Sequence, residues 1–125
     1  GRVAEGADGG ATEVSGDGKQ TRSFLYIDDC LDAVRALFES DFTGPVNIGS
    51  EEMVTINGLA HLVTDIAGKK LRINNIPGPV GVRGRNSDNR LISETLGWTP
   101  RYSLKQGLEK TYLWIAEQLN ATVNA

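Results

Sequence analysis

Short β-prone runs alternate along this chain with segments whose apolar residues recur at helical spacing. Strands are predicted at residues 12–15, 23–27, 45–49 and 71–76. Helices are predicted at residues 28–39, 57–67, 87–97 and from 103 onward. Such an alternation favours an α/β fold with a small sheet and about four helices.

Capping residues define the limits of the predicted helices. Asp28 and Asp29 suit the start of the first helix, because carboxylates accept its unpaired N–H bonds and meet the positive end of its dipole. Ser87 or Asp88 is expected to cap the third helix. Ser103 caps the fourth, where Gln106 three positions later completes a capping box.

The two ends of the chain have little material for a core. Residues 1–19 hold six of the 15 glycines and no aromatic residue. Ordering such a segment loses much backbone entropy with little apolar burial to offset it. We therefore expect a glycine-rich flexible arm at residues 1–15, one folded domain at residues 16–120 and a disordered tail at residues 121–125.

Charge and hydropathy exclude several classes of protein. With 13 basic and 16 acidic residues the net charge is −3, whereas nucleic-acid-binding domains are usually strongly basic. No apolar run approaches the roughly 20 residues that cross a bilayer. Cys30 and His61 are the only residues of their types, so neither an internal disulfide nor a metal site is expected. We expect a cytoplasmic protein with no nucleic-acid or membrane partner.

Basic residues concentrate in one part of the chain. Residues 69–90 contain six Lys and Arg residues and one acid. Within them, residues 82–87 (VRGRNS) lead toward a predicted helix start, where guanidinium groups and unpaired N–H groups could bind one phosphate. A solvated basic surface is the alternative interpretation. The glycine spacing of residues 78–84 also matches G-x-x-G-x-x-G, but Pro79 and the distance to the next helix argue against a dinucleotide-binding loop.

A second polar group precedes the predicted strand at residues 23–27. Gln20, Thr21 and Arg22 place an amide, a hydroxyl and a guanidinium in one extended run, a set that could contact a base edge and a phosphate. Alternation along a strand puts Gln20 and Arg22 on one face and Thr21 on the other. An ordinary polar entry to a strand is the alternative.

Several motifs together resemble one family. Residues 16–24 (GDGKQTRSF), 26–29 (YIDD), 47–50 (NIGS) and 96–100 (LGWTP) resemble the extended short-chain dehydrogenase/reductase enzymes that act on nucleotide sugars. Residues 81–89 (GVRGRNSDN) are more specific and resemble the GDP-mannose 3,5-epimerase family. The resemblance extends from about residue 16 to residue 118.

The resemblance implies a substrate-binding role. Enzymes of this family carry NAD on an N-terminal Rossmann half, oxidise the bound sugar, epimerise neighbouring carbons and reduce the ketone again. The matching C-terminal part holds the nucleotide diphosphate. By position, Gln20, Thr21 and Arg22 would contact the GDP group and Arg85 would clamp its diphosphate. GDP-mannose or a related nucleotide sugar is the implied ligand.

The chain also departs from the family. It has no N-terminal glycine motif for NAD, and the Rossmann half is missing. The catalytic Tyr-x-x-x-Lys is absent too, because the fourth residue after each tyrosine is Cys30, Gln106 or Ala116. We therefore expect no catalytic residue and no cofactor site in this chain, although NAD serves the full-length family, and no activity of the chain alone.

Two forms of assembly follow from that expectation. The chain could associate with a separate NAD-binding half. Alternatively, it is a non-catalytic nucleotide-binding or assembly module, which forms a homodimer through the strand at residues 46–48 that normally joins the missing half.

Overall fold

Strands and helices alternate in the computed structural model, which describes Val3 and residues 6–124. The strands between residues 6 and 124 are β1 (Ala11–Ser15), β2 (Thr21–Ser23), β3 (Met53–Thr55), β4 (Arg72–Ile76) and β5 (Gly84–Arg85). The helices in that range are α1 (Ile27–Glu39), α2 (Ile56–Ala67), α3 (Arg90–Leu96) and α4 (Leu104–Val123). The predicted α/β fold with about four helices is confirmed.

The strands form two small sheets. In one, β1 pairs in parallel with β4, from Ala11 opposite Arg72 to Ser15 opposite Ile76. In the other the order is β3-β2-β5, with β2 antiparallel to β3 and parallel to β5. Strand β2 is therefore central, and it lies beside a strand more than 60 residues away in sequence.

The predicted arm contains ordered structure. Strand β1 occupies its last five residues, and Thr12 and Val14 are buried because they face inward from a fully paired strand. Before β1, the backbone N–H of Lys70 donates to the Asp8 carboxylate. At the other end α4 continues to Val123, beyond the domain limit expected at residue 120. Residues 1, 2, 4, 5 and 125 lie outside the described residues.

Two predicted strands are wrong. Of residues 23–27 only Ser23 lies in a strand, since α1 begins at Ile27 with Asp28 and Asp29 in its first turn. Residues 45–49 form no ladder with any described residue. Val46 and Ile48 instead pack against the buried core, so the strand expected to mediate dimerisation is not formed.

The core is small, and a buried carboxylate borders it. Its buried apolar side chains are Ala33, Ile92 and Trp98. Asp29 is 0% exposed. Its carboxylate accepts the backbone N–H groups of Arg101 at 3.1 Å and Tyr102 at 3.0 Å. This contact fixes the start of α1 to the turn before α4.

The capping prediction is correct for α4, where Ser103 and Gln106 form the capping box. Helix α1 carries Asp28 and Asp29 in its first turn, but its N-cap residue Tyr26 makes no side-chain capping hydrogen bond. Gly68 ends α2 in the left-handed region. Helix α3 begins after Asn89 rather than after Ser87 or Asp88. None of the helices described is long and apolar enough to span a membrane.

Helix α1 directs most of its large apolar side chains away from the core. Asp29 and Ala33 are its buried residues. The exposed apolar residues recur with spacings of four, three and four, and so form one stripe: Ile27 at 57%, Leu31 at 59%, Val34 at 50% and Phe38 at 89% exposure. We call these four residues the apolar stripe of α1. Such a stripe usually faces a partner surface.

Candidate functional site

Strand pairing brings together the two segments that sequence analysis singled out separately. Thr21 lies opposite Gly84, and Arg22 lies opposite Arg85. The Thr21 N–H also donates to the Arg83 carbonyl at 2.9 Å. Partners in register on neighbouring strands direct their side chains to the same face of the sheet. The guanidinium groups of Arg22 and Arg85 therefore belong to one surface, which we call the arginine pair.

The arginine pair has no acidic partner among the described residues. Arg22 is half-buried and its Nη1 donates to the Thr21 carbonyl at 2.7 Å. Arg85 is exposed. Two guanidinium groups on adjacent strands without a counter-charge form a suitable site for a doubly charged anion, because their planar forks match phosphate oxygens.

Arg83, which precedes this pair, is already occupied. Its Nη1 lies 3.0 Å from an oxygen of the Asp17 carboxylate. The N–H of Lys19 donates to the same carboxylate at 2.9 Å. That hydrogen bond, and then the bond from Arg83, lowers the pKa of Asp17 below its usual value. Arg83 is therefore a structural cation, whereas Arg85 is available to a ligand.

Other basic residues of the 69–90 stretch also have partners inside the chain. Arg90 pairs with Asp88 at 2.6 Å. The guanidinium of Arg90, followed by its backbone N–H, lowers the pKa of Asp88 to about 2. Lys69 Nζ donates to the carbonyls of Val3 and Gly6. Fewer basic side chains of residues 69–90 are therefore available to bind a ligand than their number in the sequence indicates.

Two N–H groups at the start of α3 are not available for the predicted anion binding. The N–H of Asn89 donates to Glu51 Oε1 at 3.0 Å. The N–H of Arg90 donates to Asp88 Oδ1 at 3.1 Å. Because carboxylates of this chain already accept these N–H groups, they do not face a ligand. Anion binding at this surface would depend on the arginine side chains.

Glycine at position 84 permits the close approach of β5 to β2. A Cβ added there would lie 2.9 Å from Thr21 Oγ1, so either the Thr21 side chain or the strand would have to shift. Gly81, which has a φ of +64°, lies beside the Arg22 guanidinium. A side chain at either position would disturb the arginine pair or its support.

Gln20 is buried, whereas Arg85 is exposed and Arg22 half-buried. The Gln20 side chain is 6% exposed, and its amide donates weakly to the Ser15 carbonyl at 3.4 Å. The Gln20 carbonyl of the backbone accepts the Ile56 N–H at 3.0 Å. Its side-chain Oε1 is buried without a hydrogen-bond partner in the described part of the chain. A direct contact of Gln20 with a ligand stays a prediction.

The glycine-spaced segment at residues 78–84 does not suit a dinucleotide. It leaves β4 as a loop and ends in β5, and α3 begins only at Arg90. Dinucleotide-binding loops instead join a buried strand directly to a helix, whose N-terminus meets the pyrophosphate. These residues therefore do not fit NAD, as the sequence indicated.

One apolar cavity lies away from the arginine pair. It has a volume of about 600 Å³, lies between residues 24–27 and α4, and is lined mainly by apolar side chains. Lys110 borders it, with its Nζ 5.6 Å from the centre of the Tyr102 ring. One cation in an apolar cleft is a poor diphosphate site, so charge places the candidate site at the arginine pair. Residues 6–124 contain no cluster of metal-ligating side chains.

Sequence analysis missed the residues that support this surface. Asn57 at the start of α2 donates from Nδ2 to the Asp17 carbonyl at 3.1 Å and from its backbone N–H to the Gly18 carbonyl at 3.0 Å. Asn75 in β4 donates to Asn57 Oδ1 at 3.2 Å. Since 40 residues separate Asn57 from Asp17, no local motif could reveal the contact.

Comparison with known proteins supports the predicted resemblance. No family model matches the chain. The GDP-mannose 3,5-epimerase of Arabidopsis thaliana is 59% identical over 107 residues, which cover 86% of this chain and 28% of the relative. The predicted resemblance to the C-terminal part of a GDP-mannose 3,5-epimerase is confirmed, and the structural neighbours are extended short-chain dehydrogenase/reductase epimerases.

More distant relatives of this family act on other nucleotide sugars. UDP-glucuronic acid decarboxylase 5 of Arabidopsis thaliana is 36% identical over 85% of this chain and 31% of its own length. UDP-glucose 4-epimerase of Thermotoga maritima, solved with UDP-glucose, has a TM-score of 0.86 and 30% identity, over 94% of this chain and 38% of that chain. The UDP-glucuronic acid 4-epimerase of Bacillus cereus, solved with UDP-glucuronic acid and NAD, has a TM-score of 0.77 and 32% identity, over 87% of this chain and 36% of that one.

These relatives are much longer than the matched region. The chain spans 28% of the length of the Arabidopsis epimerase and 38% of the solved Thermotoga epimerase. The similarity establishes a nucleotide-sugar epimerase-like region. Solved members of this family bind NAD or NADPH.

Proposed function

We propose that this region binds the diphosphate of a nucleotide sugar at the arginine pair, with a GDP-sugar such as GDP-mannose as the ligand. Arg85 clamps the diphosphate from β5, and Arg22 contributes from β2. Gln20 and Thr21, which directly precede Arg22, contact other parts of the nucleotide. The observation that carries the proposal is the register of Arg22 with Arg85, which unites two segments that the sequence singled out on separate grounds.

Charge and similarity both support this proposal. Each hydrogen bond between a guanidinium and a phosphate oxygen contributes on the order of 1.5–3 kcal/mol. Neither arginine of the pair is neutralised by a described carboxylate. We infer a preference for GDP over UDP because the chain is 59% identical to a GDP-mannose 3,5-epimerase. Its identity to the UDP-sugar enzymes of known structure is 30–32%.

Calorimetric titration of the purified chain with GDP, UDP and GDP-mannose tests the proposal. We expect GDP to bind more tightly than UDP, and Arg85→Ala to weaken GDP binding by on the order of tenfold or more. The matched control is Arg72→Ala, because Arg72 is also exposed but lies on β4 in the other sheet. Equal losses in the two variants, or no binding at millimolar GDP, would contradict the proposal.

We propose further that this chain does not catalyse epimerisation alone. None of its tyrosines is followed four residues later by lysine, and residues 78–84 do not fit a dinucleotide. A hydride carrier and a general base would have to come from another polypeptide segment. Incubation with GDP-mannose and NAD should leave the sugar unchanged, as followed by NMR of its anomeric proton. Formation of an epimer would refute this part.

The apolar stripe of α1 favours an assembly role beside ligand binding. Its four side chains are at least half exposed, and large exposed apolar surfaces commonly mark interfaces. We propose that an NAD-binding portion, like that of the longer relatives, covers the stripe, and that a second copy substitutes for it in the isolated chain. Sedimentation should then show a dimer that Leu31→Ser with Phe38→Ser converts to a monomer. A strictly monomeric wild-type chain at high concentration would contradict the substitution by a second copy.

A further inference from the structure

Asp17 lies in the turn between β1 and β2, and its carboxylate contacts Arg83, the residue before β5. Its carboxylate holds Arg83, and the Arg83 carbonyl accepts the Thr21 N–H at 2.9 Å. Arg83 directly precedes the two residues of β5. Asp17 therefore binds the side chain of Arg83, whose backbone carbonyl takes part in the pairing of β5 with β2.

We propose that Asp17 is a positioning residue, which holds Arg83 so that β5 remains paired with β2 and Arg85 stays in register with Arg22. This inference rests on the proposed function for its effect on ligand binding. It assigns different roles to two arginines only two positions apart. Arg83 is held by the protein, and Arg85 is left for the ligand.

The turn that carries Asp17 is itself fixed. Asn57 donates to the carbonyls of Asp17 and Gly18 from its side chain and its backbone. Gly18 has a φ of +67°, and a Cβ there would overlap the Asn57 side chain. The carboxylate is thus presented from a turn anchored to the start of α2 and, through Asn75, to β4. Because the turn is anchored, the Asp17 carboxylate can restrain the position of Arg83.

Positioning and simple electrostatics predict opposite outcomes for Asp17→Asn. The substitution removes a negative charge near the arginine pair and releases Arg83, so electrostatics alone would strengthen the binding of an anion. If Asp17 positions β5, the substitution weakens binding despite the more favourable charge. Asparagine retains an oxygen that can accept the Lys19 N–H, so the local turn is preserved.

The test combines GDP titration with hydrogen exchange of the Thr21 amide in the ligand-free chain. We expect Asp17→Asn to weaken GDP binding by about tenfold and to accelerate exchange at Thr21. The matched control is Asp88→Asn, which also removes a carboxylate bonded to an arginine of the basic stretch but does not adjoin β5. It should change neither measurement.

A variant cycle separates positioning from a general loss of stability. Arg83→Ala should reproduce the effect of Asp17→Asn, and Asp17→Asn should have no further effect once Arg83 is alanine. Additive losses in the double variant would overturn the proposal, as would unchanged or tighter GDP binding with unchanged Thr21 exchange. If the wild-type chain does not bind GDP, the proposed function fails, and Thr21 exchange alone then decides whether Asp17 holds β5.

Discussion

The β2–β5 surface and helix α1 differ in how many of their stabilising contacts lie within this chain. At the β2–β5 surface, strand pairing and the contacts of Asp17 with Asn57 and Arg83 hold the backbone in place. The arginine pair has no acidic partner among the described residues. On α1, buried Asp29 and Ala33 secure one face, while the apolar stripe is 50–89% exposed on the other. The difference indicates that the proposed ligand surface is held by contacts within this chain, whereas the described residues leave the apolar stripe of α1 uncovered.

The sharpest test of this comparison uses the two faces of α1. Asp29→Ala should destabilise the chain by on the order of 3–5 kcal/mol, because the backbone N–H groups of Arg101 and Tyr102 lose a buried, charged acceptor. Asp32→Ala is the control, since Asp32 contacts the same Arg101 from an exposed position and should change stability by no more than about 1 kcal/mol. Urea unfolding of both variants provides the measurement. Similar losses would mean that the buried face does not fix α1.

Close backbone approach at the β2–β5 surface predicts a smaller loss. Gly18→Ala should lower the free energy of unfolding by more than the roughly 1–2 kcal/mol that a left-handed conformation imposes on a residue with a Cβ, because the new methyl group meets Asn57. Gly68→Ala is the control, with a φ of +64° and nothing within 4 Å of the added Cβ. Thermal unfolding of both variants separates the two contributions. Equal losses would show that Asn57 adapts and does not anchor the turn.

The local elements of the fold could be predicted from the sequence because their signals are local. Ser103 with Gln106 determines a capping box, and Asp28 with Asp29 marks a helix start. Gly68 likewise identifies the end of α2. Each of these signals involves residues within one turn of the helix end, so no tertiary information is needed.

Strand identity was harder to predict because pairing determines it. Residues 45–49 have the composition of a strand but meet no partner strand among residues 6–124. The two-residue β5 has no such composition and exists because the Arg83 carbonyl and Gly84 meet Thr21. The segments of the candidate site were predictable from charge and resemblance, but their adjacency depends on a long-range register that composition does not encode.

Apolar substitutions on the outer face of α1 should have little effect on the stability of the isolated chain. Leu31→Ser and Phe38→Ser remove side chains that are 59% and 89% exposed. Each substitution should therefore change the free energy of unfolding by no more than about 0.5 kcal/mol. Urea unfolding at a concentration low enough to prevent association is the measurement. A loss above about 2 kcal/mol in either variant would show that this chain already buries the stripe, and the contrast between the two regions would fail.

The smallest expected effect concerns a carboxylate at the border of the basic stretch. Arg90 holds the pKa of Asp88 at about 2, below its usual 3.8. A depressed folded-state pKa contributes stability above pH 3.8 that is lost as the pH falls toward 2, but both side chains are exposed, so the change in stability is slight. NMR titration of the Asp88 carboxyl carbon should therefore give a low pKa that Arg90→Ala returns toward 3.8, whereas Arg35→Ala on α1 leaves it unchanged. If Arg90→Ala has no effect, Arg90 does not neutralise Asp88 and instead adds to the charge available for an anion, which would enlarge the ligand surface beyond the arginine pair.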